Sequence, residues 1–270
     1  MNYYAENGED RLLDGIFTRP RGICVEVGVG DGIAASMTYR MEQRGWKCIL
    51  VEPEPESFRR MTASRKGPMF NCAAGSKEGV MDLAVSPRYP EMSTLTAPDP
   101  HMRNFMEEIV YETIPVQVRT LDSILAEAGV VPGEDAIDYI SIDVERFELE
   151  VLRGLSLCKH RPTVLIIEDL SCGKDPEVMV YLRGLGYELY RRTGWNDWYV
   201  RKDRYGVVID MPSFRMLRRK WAILTKDASL WRQEVVYRIS QRIPEAIKVP
   251  LRWALGIKRP VVGGFVAGKG

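Results

Sequence analysis

"ICVEVGVGDG", residues 23–32, runs an apolar stretch into three glycines at alternate positions, with acids set among them. A glycine turn at the end of a strand lets backbone approach a ligand closely and aims the amides of the following helix at it. The dinucleotide fingerprint spaces its glycines as GxGxxG. Here Gly28, Gly30 and Gly32 fall at every second position, with Glu26 before them and Asp31 between the last two. A carboxylate at the strand end repels a pyrophosphate, so this turn suits a ligand that offers an ammonium and hydroxyls.

Outward from this turn the chain alternates short β-branched runs with amphipathic segments up to about residue 200, the pattern of βαβ units in a largely parallel sheet. "GICVEVG" (22–28) reads as the first strand and "AASMTYRMEQRG" (34–45) as its helix, ended by Gly45. "KCILVEPE" (47–54) is a second strand, followed by the helix "PESFRRMTASR" (55–65) with Pro55 near its first position. "MFNCAAG" (69–75), "DYISIDVE" (138–145) and "PTVLIIED" (162–169) supply three more strands, with "LDSILAEAG" (121–129) and "FELEVLRGL" (147–155) as helices. The helix "PEVMVYLRGLG" (176–186) precedes "YELYRRT", "GWND" and "WYVRK", two alternating runs about a short turn, which make an antiparallel hairpin. Residues 80–118, rich in proline and polar residues, interrupt this rhythm and read as a loop or lid bordering a site.

Bulk properties narrow the class. The 270 residues are 45% hydrophobic and 28% charged, which excludes a wholly disordered chain. The five cysteines have no CxxC spacing, and three sit in apolar runs; they read as reduced core residues of a cytoplasmic protein. "MNYYAENGED" lacks the basic and apolar regions of a secretory signal, and no apolar run is long enough to cross a bilayer. Residues 1–203 carry 24 basic against 33 acidic side chains, whereas 204–270 carry 14 against 4. We therefore divide the chain into an acidic body, 1–203, and a basic extension, 204–270, expected to be helical.

The second strand checks the reading of the glycines independently. It ends in Glu52, 20 residues after Gly32, where an acid at a strand tip accepts ribose hydroxyls. An acid before the glycines and another at the second strand tip together point to S-adenosylmethionine.

Seven ordered segments carry a resemblance: "YAENGEDRLL" (4–13), "VEVGVGDGIAAS" (25–36), "VEPEPESF" (51–58), "NCAAGSKEG" (71–79), "VRTLDSIL" (118–125), "DYISIDVERFELEVLRGL" (138–155) and "RPTVLIIE" (161–168). Residues 4–200 resemble the FkbM-type methyltransferases. The resemblance implies an α/β, Rossmann-like class I methyltransferase fold: a seven-stranded, mostly parallel sheet with one antiparallel strand near an edge. It also implies methyl transfer from S-adenosylmethionine to a hydroxyl of a sugar, glycan or related natural-product acceptor.

On that reading Gly28, Gly30 and Gly32 shape the cofactor turn, Glu26 and Asp31 engage the methionine end, and Glu52 holds the ribose. Asn71 and Ala73, after the third strand, border the adenine. Ligands of open α/β sheets gather beyond the carboxyl ends of the strands, which makes Asp143, at the tip of "DYISID", the first candidate for contact with the acceptor. Glu145 lies two residues on and points the same way if the strand continues. His101, in "APDPHMRN", is a further candidate base, or a surface histidine; His160, before the fifth strand, lies at the opposite end and takes no catalytic role. Acids at neighbouring strand tips, Asp143 with Glu168 and Asp169, also suit Mg2+; the alternative is that they bond loop backbone and one serves as base unaided.

Where the family carries glycine in "DVEG", this chain has Arg146. Either that position needs a positive φ and arginine is strained, or Arg146 faces an anionic acceptor. In the extension, "SFRMLRRKWAILTK" (213–226) and the tryptophan-bearing run 229–260 suit a peripheral contact with an anionic inner membrane face and a lipid-linked acceptor. Packing on the body or on a second copy, as a homo-oligomer, is the alternative. No nucleic-acid partner is expected, because the body is acidic. A non-catalytic adaptor on the same scaffold is the competing function.

Overall fold

The computed structural model describes residues 2–96, 110–171 and 173–204. The chain begins with α1 (Glu9–Ile16), β1 (Ile23–Val27), α2 (Tyr39–Gln43), β2 (Lys47–Val51) and α3 (Pro55–Ser64). Then come β3 (Met69–Phe70), β4 (Ala73–Ala74), β5 (Gly79–Val85), β6 (Glu112–Arg119), α4 (Leu121–Glu127) and β7 (Ile137–Ile142). The body closes with α5 (Glu148–Arg153), α6 (Leu157–His160), β8 (Val164–Glu168), α7 (Glu177–Gly184), β9 (Tyr187–Thr193) and β10 (Asn196–Arg201).

Seven strands form the main sheet in the order β3-β2-β1-β7-β8-β10-β9. Neighbours from β3 to β8 are parallel, while β10 runs antiparallel to both β8 and β9. This is the expected α/β sheet, hairpin included. Its central strands are apolar on both sides because both faces are covered. Val25, Val27, Ile140, Ile142, Leu165 and Ile167 pack under Leu121, Leu125, Val151 and Leu182 on one side. Cys24, Cys48, Tyr139, Ile166 and Trp198 pack under Leu13, Met41 and Met61 on the other.

Local chemistry sets where the helices start. Glu54 accepts hydrogen bonds from the amides of Glu56 (3.0 Å) and Ser57 (2.5 Å), capping α3 ahead of Pro55. Thr120 caps α4 through the Ser123 amide. The helix expected over 34–45 shrinks to α2, because Glu26 holds residues 36–38 in a turn, accepting from Ser36 Oγ, the Met37 amide and Thr38 Oγ1.

The stretch 80–118 is corrected more deeply. Its two flanks are strands: β5 and β6 pair antiparallel, and β4 joins β6 in parallel to complete a second, three-stranded sheet. Leu83, Val85, Val116 and Val118 bury one face of it. "MFNCAAG" is accordingly two strands in two sheets, β3 and β4, rather than one. Of the cysteines, 24, 48 and 72 are buried free thiols as expected, but Cys158 is exposed. Cys172, His101 and the basic extension lie outside the described residues. Among those described, no helix is long and apolar enough to cross a membrane.

Candidate active site

The ends of β1, β2 and β7 open into one cleft that residues of the second sheet also line. Gly28, Gly30, Glu52, Ala73 and Asp143 all line it, as do Leu83, Pro90 and Leu95 from the second sheet and its flank. The two central loops meet backbone to backbone. The Asp143 amide donates to Val27 O at 3.0 Å, the Gly28 amide donates to Val51 O at 2.9 Å, and Gly28 has a φ of 80°. Gly30, with a φ of 61°, has open space where a Cβ would stand, so the turn leaves room for a ligand against its backbone.

Glu52 is buried, 6% exposed. One carboxylate oxygen accepts from the Gly30 amide (2.8 Å) and the other from the Glu54 amide (2.9 Å). These bonds fix the carboxylate between the glycine turn and α3. Burial nevertheless dominates and raises its pKa to about 7.

Other expected cofactor contacts are placed differently. Glu26 lines the cleft, but both its oxygens are engaged by the 36–38 turn, and the buried guanidinium of Arg65 stands 3.9 Å away. Asp31 is exposed and caps the amides of Ile33 and Ala34 at 2.9 and 2.8 Å. Gly32 packs against Met61 and Arg65. Asn71 donates from Nδ2 to the carbonyl oxygens of Glu52 (2.9 Å) and Pro53 (3.2 Å), bracing the Glu52 loop. Neither Asp31, Gly32 nor Asn71 is among the cleft-lining residues.

The acids beyond β7 form a group. The strand ends at Ile142, and Glu145 (φ 53°) and Arg146 (φ 79°) both take left-handed backbone, so the expectation that Glu145 continues the strand fails. Its carboxylate still joins those of Asp143 and Glu168, one ligand oxygen from each lying within 4.8 Å of the others. Glu145 O accepts from Thr94 Oγ1 (2.7 Å), which ties this loop to the second sheet. Asp143 opens to the cleft, yet its recessed position lifts its pKa to about 6. Burial, helped by the charges of Asp143 and Glu148, pushes Glu145 up to about 8. Burial also carries Glu168 well above the usual carboxylate range, with Asp143 reinforcing it.

Asp169 stands apart from this group. Its oxygens accept from the Ser171 amide (2.9 Å), Ser171 Oγ, the Gly173 amide (2.6 Å) and Arg192. His160 is buried on α6, its Nε2 3.4 Å from Asp122, outside the cleft. The positive φ at 146 resolves the alternative raised by "DVER" in favour of strain.

Sequence reasoning missed Glu148, which is buried and receives the amides of Arg146 (2.9 Å) and Val144 (3.4 Å). The signal was an acid two residues after the positive-φ position. Glu91, Ser93 and Phe147 in the cleft wall carried no readable motif.

A family model described as "Methyltransferase FkbM domain" matches residues 26–189. "Methyltransferase 1" of Beauveria bassiana (strain ARSEF 2860) is 29% identical over 147 residues, covering 48% of this chain and 57% of that protein. The chain thus matches little more than half the length of this curated relative. Among solved structures, a TehB-like SAM-dependent methyltransferase from Corynebacterium glutamicum ATCC 13032 Kitasato aligns with a TM-score of 0.39 at 11% identity, covering 74% of this chain and 89% of that one. A human methyltransferase 10 domain containing protein aligns with a TM-score of 0.33 at 11% identity, covering 73% and 80%.

Proposed function

Because the chain belongs to the FkbM methyltransferase family, we propose that it transfers a methyl group from S-adenosylmethionine to a hydroxyl of a sugar, glycan or related natural-product acceptor. The observation that carries this reading is the convergence of the Gly28–Gly30 turn, buried Glu52 and cleft-facing Asp143 on one cleft. The residues fit an adenosyl group: Gly30 leaves open space against backbone, Glu52 presents a carboxylate for hydroxyls, and Ala73 and Ala74 give a small apolar wall.

S-adenosylmethionine, when bound, supplies an electrophilic methyl group. The protein's part is to hold an acceptor oxygen in line and to take its proton as the new bond forms. Asp143 and Glu145 are the cleft-lining carboxylates at the β7 end, and Asp143, raised only to about 6 against about 8 for Glu145, is the one ionised at neutral pH to receive that proton. Among the described residues the charged side chains that line the cleft are all acids, Glu26, Glu52, Glu91, Asp143 and Glu145. A neutral polyol suits that field better than a carboxylate or phosphate ester. We place the enzyme in the cytoplasm, with its basic extension on an anionic membrane face where a lipid-linked acceptor is presented.

Calorimetry of S-adenosylmethionine and S-adenosylhomocysteine with wild type and Glu52→Ala tests the reading. Micromolar binding weakened by the substitution supports it. Absence of binding to the wild type removes it and favours a non-catalytic adaptor.

A further inference from the structure

We propose that Asp143, Glu145 and Glu168 form a binding site for a hard divalent cation of the Mg2+/Ca2+ class in the wall of the cleft. The site rests on the methyl-transfer reading for what the ion does there, and not for whether it binds.

The first ground is geometry. One oxygen from each residue lies within 4.8 Å of the others, brought together by the loop after β7 and the end of β8. Oxygens on opposite sides of an ion stand about 4.6–5.2 Å apart for bonds of 2.3–2.6 Å, and about 4.0–4.2 Å apart for bonds of 2.0–2.1 Å. Three carboxylate oxygens no more than 4.8 Å apart therefore fit within the coordination sphere of one such ion.

The second ground is independent of the spacing. Glu168 is 9% exposed, and its Oε2 is buried without a hydrogen-bond partner among the described residues. Buried carboxylate oxygens are costly unless satisfied. Arg192, the cation beside the next residue along, is committed to Asp169 and Asp197 through its guanidinium. That pairing also explains why Asp169, the next residue along, is not a ligand. An oxygen-seeking ion would satisfy Glu168 and offset the acids around it. Within the proposed reaction it would polarise an acceptor hydroxyl.

Mn2+ is the probe. Protein stripped with EDTA and desalted is titrated with Mn2+, and the free ion is followed by electron paramagnetic resonance. One Mn2+ should bind per chain, be displaced by excess Mg2+ or Ca2+, and raise the unfolding temperature. Glu168→Gln and Asp143→Asn should each weaken binding by about tenfold or more, while Glu91→Gln, a cleft acid outside the trio, should retain it. No binding of Mn2+ to wild type at millimolar concentration overturns the proposal, as does binding that neither Glu168→Gln nor Asp143→Asn weakens. The wild-type titration decides even where a variant fails to fold. Donor binding, measured separately in EDTA, distinguishes the two claims. A protein that binds donor but no Mn2+ has lost only the ion site, and one that binds Mn2+ but no donor has lost only the methyl-transfer reading.

Discussion

A Cβ placed on Gly28 collides with the carbonyl oxygen of Asp143, so the first glycine of the turn is held by the neighbouring loop of its own chain rather than by a ligand. Gly30, two residues on, has nothing within 4 Å of the same position. Gly28→Ala should therefore cost about 3 kcal/mol or more, combining overpacking with a left-handed alanine. Gly30→Ala should cost about 1–2 kcal/mol, from the backbone alone. Urea denaturation of both variants checks the ordering, and equal losses would mean that the two loops are not in contact.

Glu52 should make stability depend on pH with a definite sign. Its folded pKa, about 7, is raised above the ordinary value, so the folded state holds its proton more firmly than the unfolded state does. The stability it contributes is fully present below an unfolded pKa of about 4.3 and is lost as pH rises through about 7. Glu52→Gln should flatten that slope, by up to about 3 kcal/mol between pH 4.5 and 8, whatever its offset at one pH. A ligand that donates hydroxyls to the carboxylate binds its ionised form, so donor affinity should rise through the same window. Parallel stability curves for the two proteins would contradict the assignment.

Arg65 is the buried cation that holds the glycine turn from behind. Its guanidinium donates to Gly32 O (2.8 Å), Thr38 Oγ1 (2.8 Å) and Glu42 (3.0 Å). Arg65→Met leaves the charges of Glu26 and Glu42 without that partner and should cost about 3–5 kcal/mol. Chemical denaturation measures it; a loss under about 1 kcal/mol, the range of a surface pair, would show that the interior tolerates those charges unaided.

Arg146→Gly should stabilise the fold. At a φ of 79° an arginine is strained, and glycine relieves about 1 kcal/mol, which is about 2–4 °C in Tm for a body of this size. A lower Tm in calorimetry would show that contacts of the arginine side chain outweigh the backbone term.

The main sheet was legible because its central strands are mostly apolar and almost wholly buried: "ICVEV", "KCILV", "IDYISI" and "VLIIE" leave no solvent face. The second sheet was not, since β5 exposes Val80 and Met81 and buries only Leu83 and Val85, while β6 carries Pro115 in its interior. Strands buried on one side only look like loop when prolines interrupt or flank them. Spacing also located the site better than it located side chains. It put Gly28, Gly30, Glu52 and Asp143 at strand tips, where the cleft lies. It could not show that Glu26 spends its oxygens on the 36–38 turn, or that Asp169 spends its own on Arg192.

The pairing of β1 with β7 sets the order in which this protein comes into being. Val25 waits for Ile140 as its neighbour, and the β8 tip that bears Glu168 follows later still. A growing chain therefore carries its glycine turn through more than a hundred residues of synthesis with one edge of β1 unpaired and without the Asp143 loop that packs against Gly28. Such long-range parallel pairing is slow and leaves strand edges exposed to aggregation. Slower translation ahead of β7 prolongs that exposure, and a chain that stops before β8 carries the glycine turn without Glu168, the third carboxylate of the group beyond β7.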